Sequence, residues 1–563
     1  MSGATIRTRI SELRPHAGDW RPFHPGADLT AGLMVGLVAL PLALGFGASS
    51  GLGAGAGLVT AIVAGAVAAV FGGSRVQVSG PTGAMTVVLV PIVATHGADG
   101  VLVVGLLAGV VLLVLGYAGA GRFIRYVPVP VVEGFTLGIA AIIALQQLPA
   151  ALGVRPEGEE VLAQAFHAVR DWADHPAWAP LGLAAGVAVG IVLAGRLRPG
   201  LPWSLIAVVT ATVVNSAAGL GADPIGDIPS GLPAPSVPTV PLADLGGLVL
   251  PAVAVAALAA LESLLSATVA DGMSVGRRHH PDRELIGQGL ANVVTPLFGG
   301  IPATAAIART AVNVRSGATS RLASLAHAGV LLVVVLAAAR WVGEIPLAAL
   351  AGVLVATAVQ MVRVSSVTTL LRATRGDAAV LAVTAIATVA VDLVTAVLVG
   401  LVVAGFFALR QTALAAHLDE VPLEDGVEVD DTTHADEERR LLDQHIVAYR
   451  LEGPLFFAAA HDFLLELSEV SDVRVVVLRM SRVSTIDATG ASVLADTIGR
   501  LRGRGITVLL SGLQPRHERV LRELGVHDRL GADEHAFATT PEAIAHARRH
   551  VAREHHAHAA HHA

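Results

Sequence analysis

The sequence predicts an all-α polytopic membrane domain followed by a small α/β domain. Three observations carry that expectation. From Leu29 to Arg410 the chain consists mostly of long apolar runs, and beyond Arg410 it turns polar. Two Gly/Pro breaks interrupt apolar segments at corresponding places in the first and second halves of that region. They are Ser79-Gly80-Pro81-Thr82-Gly83-Ala84-Met85 and Gly299-Gly300-Ile301-Pro302-Ala303-Thr304-Ala305-Ala306. After residue 440, strand-like apolar runs alternate with helical periodicity, the pattern of a small sheet with packed helices. Composition agrees: 53% of the 563 residues are hydrophobic and only 15% charged, too apolar for a soluble enzyme.

The absences narrow the chemistry. With no cysteine, disulfides, thiolate metal sites and thiol catalysis are excluded. All 38 basic residues are arginine, so lysine is not available as an anion ligand. The net charge of -7 says little, because the acidic residues sit largely in loops and the C-terminal region.

Residues 1–28 carry Arg7, Arg9, Arg14 and Arg21 and no short apolar core with a cleavage site, so they are expected to form a cytosolic lead-in. Within the apolar region, 29–410, long runs predict spans at about 29–48, 52–71, 100–120, 127–148, 178–195, 203–220, 247–270, 321–341 and 345–362. The stretch Ala378–Leu409 is too long for one helix of roughly 20 residues, and Asp392 divides it into two short spans. Three further segments, 80–95, 285–298 and 303–314, are short or interrupted. The expected total is fourteen.

Arginine placement supports counting all of them as crossings. With a cytosolic N-terminus, the inside loops hold Arg75; Arg122 and Arg125; Arg196 and Arg198; Arg277, Arg278 and Arg283; Arg315 and Arg321; and Arg363, Arg372 and Arg375. The outside loops 96–100 and 221–246 have none, and the 149–177 loop sets Arg155 and Arg170 among five acidic residues. Only Arg340 is discordant. This positive-inside pattern makes the helices after the two breaks antiparallel, with their N-termini facing each other, as an inverted repeat predicts.

Residues 411–440 are acidic and without apolar period, and are expected to be a linker. In the soluble part, 441–540, strands are expected at Ile446–Leu451, Val473–Met480 and Ile506–Leu510, and helices over 459–469, 489–503 and 515–525. The His-rich tail, 541–563, is expected to be disordered, with metal binding as the alternative.

The breaks carry the chemistry. Irregular backbone at membrane depth is tolerated where it is buried or lines a cavity, and a matched pair points to a transporter's binding site. The first N–H groups of a helix are unpaired, and its dipole adds partial positive charge there. The amides after Pro81 and Pro302, with the Thr82 and Thr304 hydroxyls, are expected to bind an oxyanion. The small residues Gly83, Ala84, Ala305 and Ala306 let it reach the backbone. Glu262 lies mid-span, where a charge costs roughly 2.5–3.5 kcal/mol on insertion scales, and it is a functional candidate on that ground. Ser266 is one helical turn on. Arg309 sits about two turns into the second short helix and can balance Glu262 or attract a divalent anion. Against these roles stand blander ones: Gly/Pro turns, a hydrogen-bonded structural acid and a snorkelling arginine.

Together these residues resemble the sulfate permease (SulP) family of anion transporters. The resemblance rests on Ala27-Asp28-Leu29-Thr30-Ala31-Gly32, on both breaks, and on Ala308-Arg309-Thr310-Ala311-Val312-Asn313. It rests also on Leu261-Glu262-Ser263-Leu264-Leu265-Ser266 and Glu284-Leu285-Ile286-Gly287-Gln288-Gly289. The C-terminal part looks like a STAS domain, marked by Ser484-Thr485-Ile486-Asp487-Ala488-Thr489-Gly490. The match runs from about residue 20 to 550. It implies a 7+7 inverted repeat in which a core domain moves against a gate domain, usually in a homodimer. It also implies an inner (plasma) membrane location with both termini cytoplasmic, and no enzymatic activity.

The resemblance places a coupling cation at Glu262, a site that Ser266, one helical turn on, can share; it implies no cofactor, and the cation is H+, or Na+ as in members with Asp there. Many members have Gly where this chain has Ala305, whose methyl narrows the pocket. Asp487 and Thr489 are the regulatory candidates, although Ala488 replaces one hydroxyl of the phosphorylated motif in the bacterial antagonists. A constitutive docking domain for a cytosolic protein partner is therefore favoured. No Gly-x-x-x-x-Gly-Lys loop exists to power transport with ATP, and no nucleic-acid partner is expected.

The expected function is secondary active transport of a small inorganic anion, sulfate with protons first. Sodium-coupled bicarbonate transport is the nearest rival, since Ala39-Leu40-Pro41-Leu42-Ala43-Leu44-Gly45-Phe46-Gly47 resembles the bicarbonate branch. The Pro-Gln pair of many sulfate-type members is missing there, and Leu42 stands in its place. Against the bicarbonate branch, Glu262 replaces its Asp and Ile307 its hydroxyl. A dicarboxylate transporter, an uncoupled anion channel or a membrane scaffold would also fit these motifs.

Overall fold

Nine helices among the described residues of the computed structural model are long and apolar enough to cross a membrane. The structure describes residues 15–561 apart from 22, 156–159, 199, 242–244, 275–277, 392, 415–416, 421–444, 456–472 and 531–534. Arg277, Asp392, most of the acidic linker and the helix expected over 459–469 lie outside the described residues. The chain divides into two compact units, Met1–Ala404 and Gly405–Ala563.

The first unit is helical. Its first half holds α1 (Pro25–Ser49), α2 (Ala54–Phe71), α3 (Gly83–Ala118), α4 (Val129–Gln146), α5 (Val161–Asp174), α6 (Trp178–Leu197) and α7 (Trp203–Ala218). The second half holds α8 (Leu245–Met273), α9 (Pro281–Val294), α10 (Ile307–Arg315), α11 (Arg321–Gly343), α12 (Leu347–Met361), α13 (Val364–Ala373) and α14 (Arg375–Ala390). α15 (Leu393–Leu414) follows.

Local chemistry sets several starts. Pro25 and Pro281 occupy the first turns of α1 and α9, where a missing N–H costs nothing. Asp28 reaches across to the N-terminus of α11, accepting from the Thr319 and Ser320 amides at 2.7 and 3.0 Å. The segments expected at 80–95 and 100–120 are two helical stretches, carried together under the label α3 and separated at Gly97, whose φ of 67° and ψ of -169° are non-helical and open to glycine. α1 and α2 approach so closely that a Cβ on Gly57 would lie 2.0 Å from the Ala43 carbonyl oxygen.

Each break contains a two-residue strand, which hydropathy did not reveal. β1 (Ser79–Gly80) pairs antiparallel with β2 (Thr304–Ala305), in the register Ser79 to Ala305 and Gly80 to Thr304. These strands join the two halves of the sequence at the point where both are interrupted.

The second unit is a five-stranded sheet, ordered β3 (His417–Glu420), β4 (Ile446–Leu455), β5 (Val475–Ile486), β6 (Thr507–Ser511) and β7 (Ala536–Phe537). β4 to β7 are parallel and β3 is antiparallel at the edge. α16 (Ala488–Gly503) and α17 (Pro515–Glu523) cover one face, packing Leu494, Ile498 and Leu521 on Leu478 and Met480. α18 (Thr540–His561) covers the other, through Ala543, Ala547 and Val551 on Val475 and Val477. Two expectations change here. Residues 417–420, inside the expected linker, form an edge strand, and the tail expected to be disordered is helical as far as His561. Its apolar residues, four apart, outweigh its histidine content.

Candidate functional site

The geometry around the breaks follows from what each backbone amide does. Thr82 is the N-cap of α3: its hydroxyl accepts from the Met85 amide at 3.4 Å. The amides of Gly83 and Ala84 head that helix without an intrahelical partner. On the other side the expectation needs correction, because α10 begins at Ile307 and not directly after Pro302. Residues 303–306 are extended and their amides are largely spent. Ala303 N donates to Asn292 Oδ1 at 2.8 Å, Ala305 N to Ser263 Oγ at 3.2 Å, and Ala306 N to the Val78 carbonyl at 3.0 Å. Ala306 caps α10 with no side-chain acceptor, so the amides of Ile307, Ala308 and Arg309 form the second set of helix-start donors.

The hydroxyls expected to face an anion are engaged elsewhere. Thr82 Oγ1 donates to Glu262 Oε2 at 2.9 Å. Thr304 Oγ1 lies 3.0 Å from Ser263 Oγ and 3.4 Å from the Ala259 carbonyl. Both therefore join α8 to the breaks. Ser266, fully buried, donates to Thr310 Oγ1 at 3.1 Å. Glu262 thus sits beside the first helix start, while Ser263 and Ser266 hold the second.

Arg309 is buried, and its Nη2 donates to the Pro81 carbonyl at 2.6 Å while Nη1 has no hydrogen-bond partner. Its charge acts on Glu262. One face of α10 grips the first break: besides Arg309, Thr310 Oγ1 accepts from Val78 N at 3.1 Å, and Asn313 Nδ2 donates to the Val76 carbonyl at 2.7 Å. Gly80 has φ 156°, a backbone conformation that favours glycine, and a Cβ there would fall 2.6 Å from Arg309 Nη1, so Arg309 lies directly against the first break. A Cβ on Gly83 would lie 2.1 Å from Ile143 Cδ1 and 3.1 Å from Phe46 Cε1, so α4 and α1 close over the first turn of α3.

The structure thus gathers Pro81, Thr82, Gly83, Ala84, Glu262, Ser266, Thr304, Ala305, Ala306 and Arg309 around one strand pair. Sequence reasoning quoted Ser263, Gln288, Thr310 and Asn313 within motifs but gave them no role, and it missed Asn292. Each is a neutral polar residue within a helix, without the cost that flags a carboxylate. In the second unit, Asp487 caps α16 by accepting from Gly490 N at 2.7 Å, and Thr489 is exposed in its first turn.

A sequence profile described as the sulfate permease family matches residues 26–384, and a STAS domain profile matches 442–543. The chain belongs to the sulfate permease family. It is 34% identical over 516 residues to the "Putative sulfate transporter YvdB" of Bacillus subtilis, covering 90% of this chain and 94% of that protein. It is 30% identical over 526 residues to the bicarbonate transporter BicA of Picosynechococcus, covering 90% and 92%. The solved transmembrane domain of a cyanobacterial BicA superposes with TM-score 0.60 at 31% identity, over 68% of this chain and 98% of that one. The anion transporter Slc26a9 of mouse, in its inward-facing state, shares the fold over 98% of this chain and 95% of its own, with TM-score 0.79 at 18% identity. The protein is a multi-pass membrane anion transporter with a C-terminal STAS domain, and not an enzyme.

Proposed function

We propose that this transporter moves sulfate together with protons across the plasma membrane, binding the anion between the first turns of α3 and α10. The observation that carries this reading is the pair of helix starts, Gly83–Ala84 and Ile307–Arg309, fixed by antiparallel strands from the two halves. Each helix N-terminus carries roughly half an elementary positive charge, and two of them with Arg309 suit a dianion better than a monoanion. Glu262, hydrogen-bonded to Thr82 at the first start, is the proton carrier, with Ser266 one turn on. Fourteen crossings in a 7+7 inverted repeat, both termini cytoplasmic, a homodimer, and a STAS domain that docks a cytosolic protein complete the reading.

Sodium-coupled bicarbonate transport is the second reading. The identity to BicA, 30% over 90% of this chain, favours it. The two are separated by uptake of labelled sulfate and labelled bicarbonate into proteoliposomes, with proton and sodium gradients imposed one at a time. Sulfate accumulation driven by the proton gradient supports the first reading, and bicarbonate accumulation driven by sodium replaces it with the second. A steady anion current that neither gradient drives makes the protein a channel.

A further inference from the structure

α9 packs on α2 and α3, and one of its faces holds both breaks. Glu284, Gln288 and Asn292 lie four residues apart, so they form one stripe with about 6 Å between steps. All three are buried, at 2%, 0% and 0% exposure, and each is committed to a different part of the site's scaffold. Glu284 Oε2 accepts from the Gly73 and Ser74 amides at 2.8 and 3.0 Å. Gln288 Nε2 donates to Glu284 Oε1 at 2.9 Å and to Ser79 Oγ at 2.7 Å. Asn292 Nδ2 donates to the Ala303 carbonyl at 2.9 Å, and its Oδ1 accepts from the Ala303 amide at 2.8 Å. That amide side chain pairs with Ala303 as a neighbouring strand would, one residue before β2.

The depth of the stripe is fixed as tightly as its direction. A Cβ on Gly287 would lie 2.4 Å from Gly72 Cα, and one on Gly289 would lie 2.9 Å from the Gly109 carbonyl oxygen. Two glycines flanking Gln288 thus seat α9 directly on the end of α2 and on α3. Neither neighbour has a flexible side-chain end at the contact that could yield.

We infer that Gln288 and Asn292 are positioning residues that fix β1 against β2, and thereby set the separation of the two helix starts and the anion they prefer. The inference rests on the proposed anion site between α3 and α10. Asn292 holds the strand that leads into α10, and Gln288 holds the strand that leads into α3. A shift in either changes the gap that an oxyanion must span, and sulfate and bicarbonate differ in both size and charge.

The test uses Asn292→Asp and Gln288→Met in the full-length transporter in proteoliposomes, with the KM for sulfate and for bicarbonate measured beside wild type. Asn292→Asp keeps the acceptor for Ala303 N but loses the donor to its carbonyl. It should raise the KM of the preferred anion about fivefold to tenfold, and should change the ratio of the two KM values. Turnover per folded transporter should stay within about twofold of wild type. Lowering the pH protonates the new carboxyl and restores a donor, so the KM of this variant, normalised to wild type at the same pH, should fall back. Gln288→Met should shift the KM ratio without that pH recovery. Unchanged KM values in both variants, with only the amount of folded protein reduced, overturn the inference. A wild-type protein that moves neither anion refutes instead the function on which it rests.

Discussion

Gly83→Ala tests how closely the first turn of α3 is enclosed. The added Cβ would stand 2.1 Å from Ile143 Cδ1, 2.8 Å from Ile143 Cγ1 and 3.1 Å from Phe46 Cε1. Ordinary carbon contacts lie at about 3.5–4.0 Å, so the first atom must retreat by about 1.5 Å. Ile143 and Phe46 are both buried, which leaves them little room to do so. Overpacking of this kind costs about 1–3 kcal/mol, or roughly a factor of 5 to 150 in an equilibrium. Because Gly83 is the first residue of the helix proposed to face the anion, that cost should appear as a raised KM in proteoliposome uptake. Ile143→Ala removes both nearest atoms, so the double variant Gly83→Ala/Ile143→Ala should recover most of the loss. A coupling energy of about 1 kcal/mol or more between the two sites is expected in the mutant cycle. A Gly83→Ala transporter with wild-type KM, or a double variant no better than the single, refutes the enclosure argument.

Glu262→Gln keeps an oxygen for the Thr82 hydroxyl, now 2.9 Å from Glu262 Oε2, and removes the ionisable group. Exchange across the liposome should persist, whereas accumulation driven by a proton gradient, about tenfold per pH unit for one coupled proton, should vanish; unchanged accumulation makes Glu262 structural. Ser263→Ala deprives Ala305 N of its acceptor and should lower stability by about 1–3 kcal/mol, read as a lower midpoint in thermal unfolding. Burial, with Arg516 beside it and against the Ser484 carbonyl, pushes His517 below its ordinary value near 6.5. The unfolded chain then binds the extra proton, so stability is full above that value and declines as the pH falls through it. Protection factors across residues 475–530, taken against the intrinsic exchange rate at each pH, should fall on acidification in wild type, and less so in His517→Leu.

The sequence made the transport domain legible where a single residue carries a large energy. Glu262 stands out because a mid-span carboxylate is costly, and the breaks stand out because Gly and Pro interrupt apolar segments. The start of α10 was misplaced by four residues for a physical reason. Ala303, Ala305 and Ala306 are strong local helix formers, yet their amides are held in extended backbone by Asn292, Ser263 and Val78, partners far away or in the other half of the chain. The hydroxyls of Thr82 and Thr304 were expected at the anion because nothing in a sequence tells which way a hydroxyl turns. In the second unit, β4, β5 and β6 were readable from their Val and Leu runs. The edge strand β3 was not, since its register is set by β4 and not by any apolar pattern of its own.

The pairing of Ser79 with Ala305 also has a consequence for biogenesis. The two residues are separated by 226 positions in the chain. At about 5–20 residues per second of synthesis, β1 leaves the ribosome roughly eleven to forty-five seconds before its partner exists. During that interval the Ser79–Gly80 backbone has no strand to bond, at a depth where unsatisfied amides are costly. The strand pair therefore closes only after the whole first half of the membrane domain and part of the second have been made. The nascent first half is the stage at which an insertion chaperone, or a protease, has the most to act on.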